Sequence, residues 1–255
     1  MKIFLISHMS LNKNHQINPK ISTDCVIFGF DNEGLQVLLI ERKPVSANEE
    51  INALPGDLIY DDEDLDDAAQ RVLKELTGLS DIFLEQIGAF GSPDRLSKPE
   101  DKKWLESVRQ YPDERVITVA YYSLVNKNLY EPQSSSFAQS AVWVPVSEVT
   151  TLAFDHFEIL QAALKQLRSK IKTQPVGFNL LPAQFVLSDL HKLYEAILGR
   201  PLDKRNFRRK INKLGIVESL NKKQTGVPHK PSLIYKFNEE NYQRLVEEGY
   251  DNFGF

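Results

Sequence analysis

Residues 54–79, LPGDLIYDDEDLDDAAQRVLKELTGL, constrain the fold of this chain more than any other stretch. Leu54-Pro55-Gly56 marks a sharp turn, an acidic run follows from Asp61 to Asp67, and apolar residues then recur at Leu65, Ala68, Ala69, Val72, Leu73 and Leu76. Spacings of three and four place these side chains on one stripe of a helix over 64–76, a stripe that has to be buried against other elements. Gly78 follows as the expected C-cap. The acids ahead of the stripe favour the positive end of the helix.

Strand signals surround this helix. DCVIFGF (24–30), the turn 31–34 and LQVLLIER (35–42) read as a hairpin, since both runs are short, apolar and bounded by turn formers. Further strands are expected at 82–90, at 115–125, where RVITVAYYSLV is rich in β-branched and aromatic residues, and at 140–146. A polar insertion over 96–112 separates two of them. Segment 154–171 is expected to be helical, with Phe157, Leu160, Leu164, Leu167 and Ile171 on one face. Together these elements predict an α+β domain over 21–173. Residues 1–20 are polar and expected to be flexible.

Beyond Gln174-Pro175-Val176-Gly177 the pattern changes to shorter elements over 174–255. A helix is expected over 185–199 with Ser188 as N-cap, then a break at Gly199-Arg200-Pro201, then a second helix over 203–215. That second helix carries Phe207, Ile211 and Leu214 on one face and cations on the other. IVESL and SLIYKF flank a loop over 221–231, and a short helix over 239–248 closes the chain. Helix, turn, basic helix and a two-stranded loop describe a winged helix-turn-helix, with the basic helix sized for a major groove. Arg205, Arg209 and Asn206 are the candidates to reach base edges, Lys204 and Arg208 to hold phosphates, with Lys213 beside them. Lys222, Lys223, His229 and Lys230 form the candidate wing contacts.

Charge supports this division. Residues 200–236 hold eleven Lys/Arg and two Asp/Glu, so this stretch carries +9 in a chain whose total is −4. A local basic surface attracts a phosphate backbone even when the body is acidic. The single cysteine, Cys25, rules out an intrachain disulfide and reads as a core residue. No run of 18 apolar residues occurs, and the opening MKIFLISHMS holds only four apolar residues in a row. A cytoplasmic protein with no membrane partner is expected.

The 54–79 segment resembles the Nudix box, G-x5-E-x7-R-E-U-x-E-E-x-G-U, where U is bulky and apolar. Laid over it without gaps, the opening glycine falls on Asp57, the first glutamate on Glu63, the arginine on Arg71 and the next glutamate on Val72. The glutamate pair falls on Glu75 and Leu76, and the closing glycine on Gly78. Glu63 and Arg71 are placed to pair and hold the box in shape. Two of the three helix carboxylates are absent. A divalent hard cation needs several oxygen ligands, and Glu75 alone holds one weakly, so neither a metal nor diphosphate hydrolysis is expected.

Over nearly its whole folded length the chain resembles the NrtR family of Nudix-related transcriptional regulators of NAD metabolism. FGSPDR (90–95), DERVITVAYY (113–122), FDH (154–156) and YEAILGRPLDKRNFRRKINKLG (194–215) carry this resemblance beside the degenerate box. It implies a Nudix-like α/β/α sandwich followed by a winged helix-turn-helix domain. It also implies a homodimeric repressor on a palindromic double-stranded DNA operator, with ADP-ribose as regulatory ligand and no other cofactor. Regulators of sugar use share the architecture, and a nucleoside-diphosphate-sugar hydrolase with a DNA-binding tail is the enzymatic alternative. The resemblance makes Arg95 and Arg115 the expected phosphate or ribose contacts, with Arg42 flanking them. Asp94 is expected to accept from a ribose hydroxyl or orient Arg95, and Tyr121 or Tyr122 to stack on adenine. His156 and Asp155 are expected to form a structural hydrogen-bonded pair, and the 96–112 insertion a lid or a dimer contact.

Overall fold

The computed structural model describes residues 15–31, 34–42, 52–130, 138–174, 176–228 and 230–250. Residues 1–14, the tip of the first hairpin, most of the 43–53 loop, and His229 of the expected wing lie outside the described residues. The chain divides into two compact units. One comprises residues 1–27, 37–123 and 131–160, and the other comprises residues 28–36, 124–130 and 161–255.

Strand β1 (Ile17–Asp31) begins inside the segment expected to be flexible, so residues 17–20 belong to the sheet. Every residue from Ser22 to Phe30 is buried. A strand buried on both faces needs a central place and cover on each side. It has that place, because strand order in the sheet is β3 (Asn52–Ala53), β2 (Gly34–Arg42), β1, β6 (Ile117–Asn126), β5 (Glu85–Phe90), with β4 (Gly56–Tyr60) also pairing with β1 and β7 (Ala138–Pro145) with β2. The β1–β4 register sets Gly56 opposite Asp24. A Cβ on Gly56 would lie 1.8 Å from Asp24 Oδ1, so the close approach of the two strands requires glycine here.

Helix α1 (Leu65–Thr77) forms where the stripe predicts it. Asp64 caps it by accepting from Asp66 N, and Gly78 closes it in the left-handed region at φ 74°. Ala68, Ala69, Val72, Leu73 and Leu76 are its buried face. The polar insertion contains a helix of its own, α2 (Pro99–Val108), and α3 (His156–Thr173) follows the sheet. The architecture is the expected α+β one, a Nudix-like α/β/α sandwich followed by a winged helix.

In the second unit β8 (Phe185–Val186) precedes α4 (Leu187–Leu198), α5 (Lys204–Leu214), β9 (Val217–Lys223), β10 (Leu233–Phe237) and α6 (Glu239–Glu247). The three strands form a sheet in the order β8-β10-β9. Helix α4 starts one residue before Ser188, with Val186 at its N-cap and no side-chain cap, because residues 185–186 are drawn into pairing with β10. Phe207 of α5 fixes the helix pair by packing edge-on against His191 and Tyr194 at 4.9 and 5.5 Å between ring centroids. The turn between them is pinned by Leu202, whose N–H donates to Glu195 at 2.8 Å and whose carbonyl accepts from His191 at 2.9 Å.

Candidate functional site

The first unit contains a cleft of about 770 Å³, a size typical of small-molecule sites. Its walls include Asp24, Asp57, Arg95, Arg109, Trp104 and His156. Arg95 is 6% exposed. Its Nε and one Nη both donate to Asp155 at 2.9 Å, a bidentate fork, and the same Nη reaches Asp24 Oδ2 at 3.3 Å. His156 Nδ1 accepts from Leu54 N at 2.9 Å, which leaves Nε2 as the ring donor, 3.4 Å from Asp24 Oδ1. Burial opposes the charge on Asp24, yet His156 and Arg95 together hold its carboxyl well below the usual carboxylate range. The expected His156–Asp155 pairing is therefore replaced by a crossed arrangement, His156 with Asp24 and Asp155 with Arg95. The strand brings Asp24 between a guanidinium and an imidazole that the chain order places far away.

The Nudix-box segment keeps its frame. Arg71 donates from Nε to Glu63 Oε2 at 2.8 Å and from one Nη to Glu63 Oε1 and to the Leu58 carbonyl, so the pairing expected from sequence ties the 58–63 stretch to α1. Arg71 also lies 4.0 Å from the Tyr60 ring centroid. Its other Nη pairs with Glu75 at 3.1 Å. Val72 and Leu76, where the other carboxylates would stand, are 0% and 2% exposed within an apolar cluster. A divalent cation does not fit these residues, because the remaining carboxylate is engaged by an arginine and the other two positions are hydrocarbon. Among the described residues no group of three or more His, Cys, Asp and Glu side chains is arranged to hold a metal.

The structure sorts the sequence-derived ligand contacts. Arg42 and Arg95 line the cleft. Arg42 is buried at 5% exposure and pairs with the fully buried Asp101 at 3.1 Å, with its guanidinium over Trp104 and Phe154, so it is a clamp within the wall. Asp94, Arg115 and Tyr121 are off the wall. Asp94 is exposed, and its backbone carbonyl accepts from Ser97, while the carboxylates that meet Arg95 are Asp155 and Asp24. Arg115 is exposed and donates to the Gly91 carbonyl at 2.9 Å. Tyr121 is 2% exposed and donates to Asp66 at 2.7 Å, because strand alternation turns it toward α1 and away from the cleft. Tyr122 is likewise buried, at 4% exposure. Asp24, Trp104 and Arg109 escaped the sequence reading. A lone Asp in the apolar run TDCVIFGF was the available signal for the first, since a buried charge needs partners. Nothing local distinguishes the other two within the polar insertion.

The second candidate surface is α5. Asp203 caps it by accepting from Asn206 N at 2.7 Å. Phe207, Ile211 and Leu214 are buried, and at 3.6 residues per turn this turns Arg205 and Arg209 to the opposite side, with Lys204 and Arg208 on one flank. All four are exposed. Arg209 donates to Asn206 Oδ1 at 3.0 Å, which occupies the amide oxygen and not its N–H groups. Asn206, Arg209 and Lys213 also line a hollow with Leu245 of α6 and Tyr250. Lys222, Lys223 and Lys230 are exposed on or beside the β9–β10 hairpin.

With both surfaces in place, residues 18–163 match the NUDIX domain model and residues 177–237 match the NrtR DNA-binding winged helix domain. The chain is 30% identical over 234 residues to the ADPR responsive transcriptional repressor NtrR of Acinetobacter baylyi, spanning 90% of this chain and 86% of that protein. This chain belongs to the NrtR family. The fold agrees with solved structures. NrtR of Shewanella oneidensis, crystallised with a 27mer DNA, superposes with a TM-score of 0.66 at 24% identity over 88% of this chain and 95% of its own. A MutT/nudix family protein from Enterococcus faecalis gives 0.63 at 24% identity over 91% of this chain and 90% of its own. For an NrtR-family chain, the combination of a framed but carboxylate-poor Nudix box with a basic α5 is the feature that a function must account for.

Proposed function

We propose that this protein is a cytoplasmic transcriptional repressor of NAD-biosynthesis genes. It binds a palindromic duplex operator as a homodimer through α5 and the β9–β10 wing, and ADP-ribose in the first-unit cleft releases it. The observation that carries this reading is the end-to-end similarity to an ADPR responsive transcriptional repressor, with both domains in one chain. The local chemistry agrees. Cations on the open side of α5 suit phosphate and base-edge contacts, and the cleft has the volume and mixed aromatic and charged walls of a nucleotide-sized site. Arg42 and Arg95 contribute to ligand binding by shaping that wall, and the α1 helix supplies the scaffold of a diphosphate site without its hydrolysis.

The test is a gel shift on DNA upstream of NAD-biosynthesis genes, repeated with ADP-ribose, NAD and arabinose. The expected result is a retarded band that ADP-ribose alone dissolves. Absence of any retarded band sinks the proposal, and release by arabinose transfers it to sugar metabolism.

A further inference from the structure

The two missing carboxylates have been replaced by something specific. Val72 and Leu76 pack in one cluster with Ile40, Ala53, Trp104, Leu105, Ala153 and Phe154. Trp104 and Leu105 belong to α2, the helix of the insertion. The face of α1 that would carry a hard cation is therefore the seat of α2. Carboxylates at 72 and 76 would have to be desolvated beneath Trp104 and Leu105, so the apolar seat and a metal site exclude one another. Further ties hold α2 there. Asp101 accepts from Phe154 N at 2.8 Å and pairs with Arg42, whose guanidinium lies 4.8 Å from the Trp104 ring centroid.

This anchored helix ends at the cleft. Its C-cap is Arg109, whose N–H donates to Leu105 O at 2.8 Å and whose backbone turns extended at φ −112° and ψ 142°. The Arg109 side chain lines the cleft. The other two arginines of the wall face carboxylates at close range, Arg42 at Asp101 and Arg95 at Asp155 and Asp24. The Arg109 guanidinium makes no hydrogen bond and no ion pair among the described residues. The charges acting on it are Asp57 and Asp24, which favour it, and Arg95, which opposes it. Burial depresses its basicity, and a bound anion would relieve that cost.

We propose that the insertion replaces the metal: α2 fills the cation face of α1 with Trp104 and Leu105 and brings the Arg109 guanidinium into the cleft as the cation that binds the diphosphate of a nucleoside-diphosphate ligand, with no divalent ion. This rests on the reading of the cleft as an ADP-ribose site. A guanidinium fork matches two phosphate oxygens and keeps its charge at any physiological pH, so it can neutralise a diphosphate without polarising water for attack. Binding and hydrolysis are separated by exchanging one cation for another.

The experiment is calorimetric titration of full-length wild type, R109Q and R109K with ADP-ribose and with inorganic pyrophosphate, each in EDTA and in Mg²⁺. Wild type is expected to bind ADP-ribose equally with and without Mg²⁺. R109Q is expected to weaken both ligands by about tenfold or more, the loss of one charge-assisted contact, with an unchanged thermal midpoint, and R109K to retain part of the affinity. Wild-type affinity in R109Q, or a requirement for Mg²⁺ in wild type, overturns the proposal and leaves the ADP-ribose reading standing. Arg109-dependent pyrophosphate binding without ADP-ribose binding supports the diphosphate seat and removes ADP-ribose as its occupant. Binding of neither ligand by wild type overturns both.

Discussion

Asp24 is the residue on which the cleft turns. It is 3% exposed, within reach of the Arg95 guanidinium and the His156 imidazole, and opposite a glycine that leaves room for nothing but its carboxylate. Because its folded pKa is depressed, the stability it contributes is fully present above its ordinary value of about 4 and is lost as pH falls through the folded value. Asp24→Asn is therefore expected to destabilise at pH 7 by about 3–5 kcal/mol, the cost of breaking a buried pair, and the gap from wild type should narrow below about pH 4. Urea melts at pH 7 and pH 3 measure both. A variant as stable as wild type at pH 7 would remove Asp24 from the network. The same scale holds a prediction for the altered box. Leu76→Glu is expected to lose about 3 kcal/mol or more, because the new carboxylate is trapped under Trp104 and Leu105, and to gain no ADP-ribose hydrolysis with Mg²⁺. Measured turnover in this variant would show that α2 yields to a metal.

At the scale of elements, the insertion and the recognition helix each depend on how one end is held. Helix α2 has Pro99 at its start, no side-chain N-cap, and a buried Asp101 clamped by Arg42, so tertiary contacts stabilise it more than its own caps do. Helix α5 is the reverse case, with Asp203 capping its first turn. Asp203→Ala is expected to cost about 1 kcal/mol in stability and to weaken DNA binding by fraying that turn. Thermal unfolding and gel shifts report the two effects. On the outer side of α5, Arg209→Ala should cost about 1–3 kcal/mol on one operator sequence and relax preference at the contacted base. Lys204→Ala should lower affinity evenly across sequences and reduce the salt slope by about one. Identical behaviour of the two variants across a set of mutated operators would refute this division of roles.

For the whole molecule, a repressor released by its ligand requires the two surfaces to influence each other's affinity by the same factor. ADP-ribose should bind about 5–150-fold more weakly to the operator complex than to the free protein. Titrations with and without operator DNA measure the ratio, and equal affinities would sink the coupling.

Much of this molecule was legible in its residues. The α1 stripe, the Glu63–Arg71 frame, the paired strands and the basic side of α5 depend on local periodicity and on short separations along the chain, and those are written in sequence. Chain order also sufficed to recognise which carboxylates the Nudix box lacks. What the tertiary structure decided is where charge from distant segments meets. Asp24, Arg95 and Asp155 are brought together by strand order, Tyr121 is turned away from the cleft by its register, and the insertion is laid over Val72 and Leu76. The altered 54–79 segment thus has a partner that its own residues do not announce. Burial and long-range pairing are properties of the folded arrangement, and no local pattern within 96–112 distinguishes Arg109 from any other surface arginine.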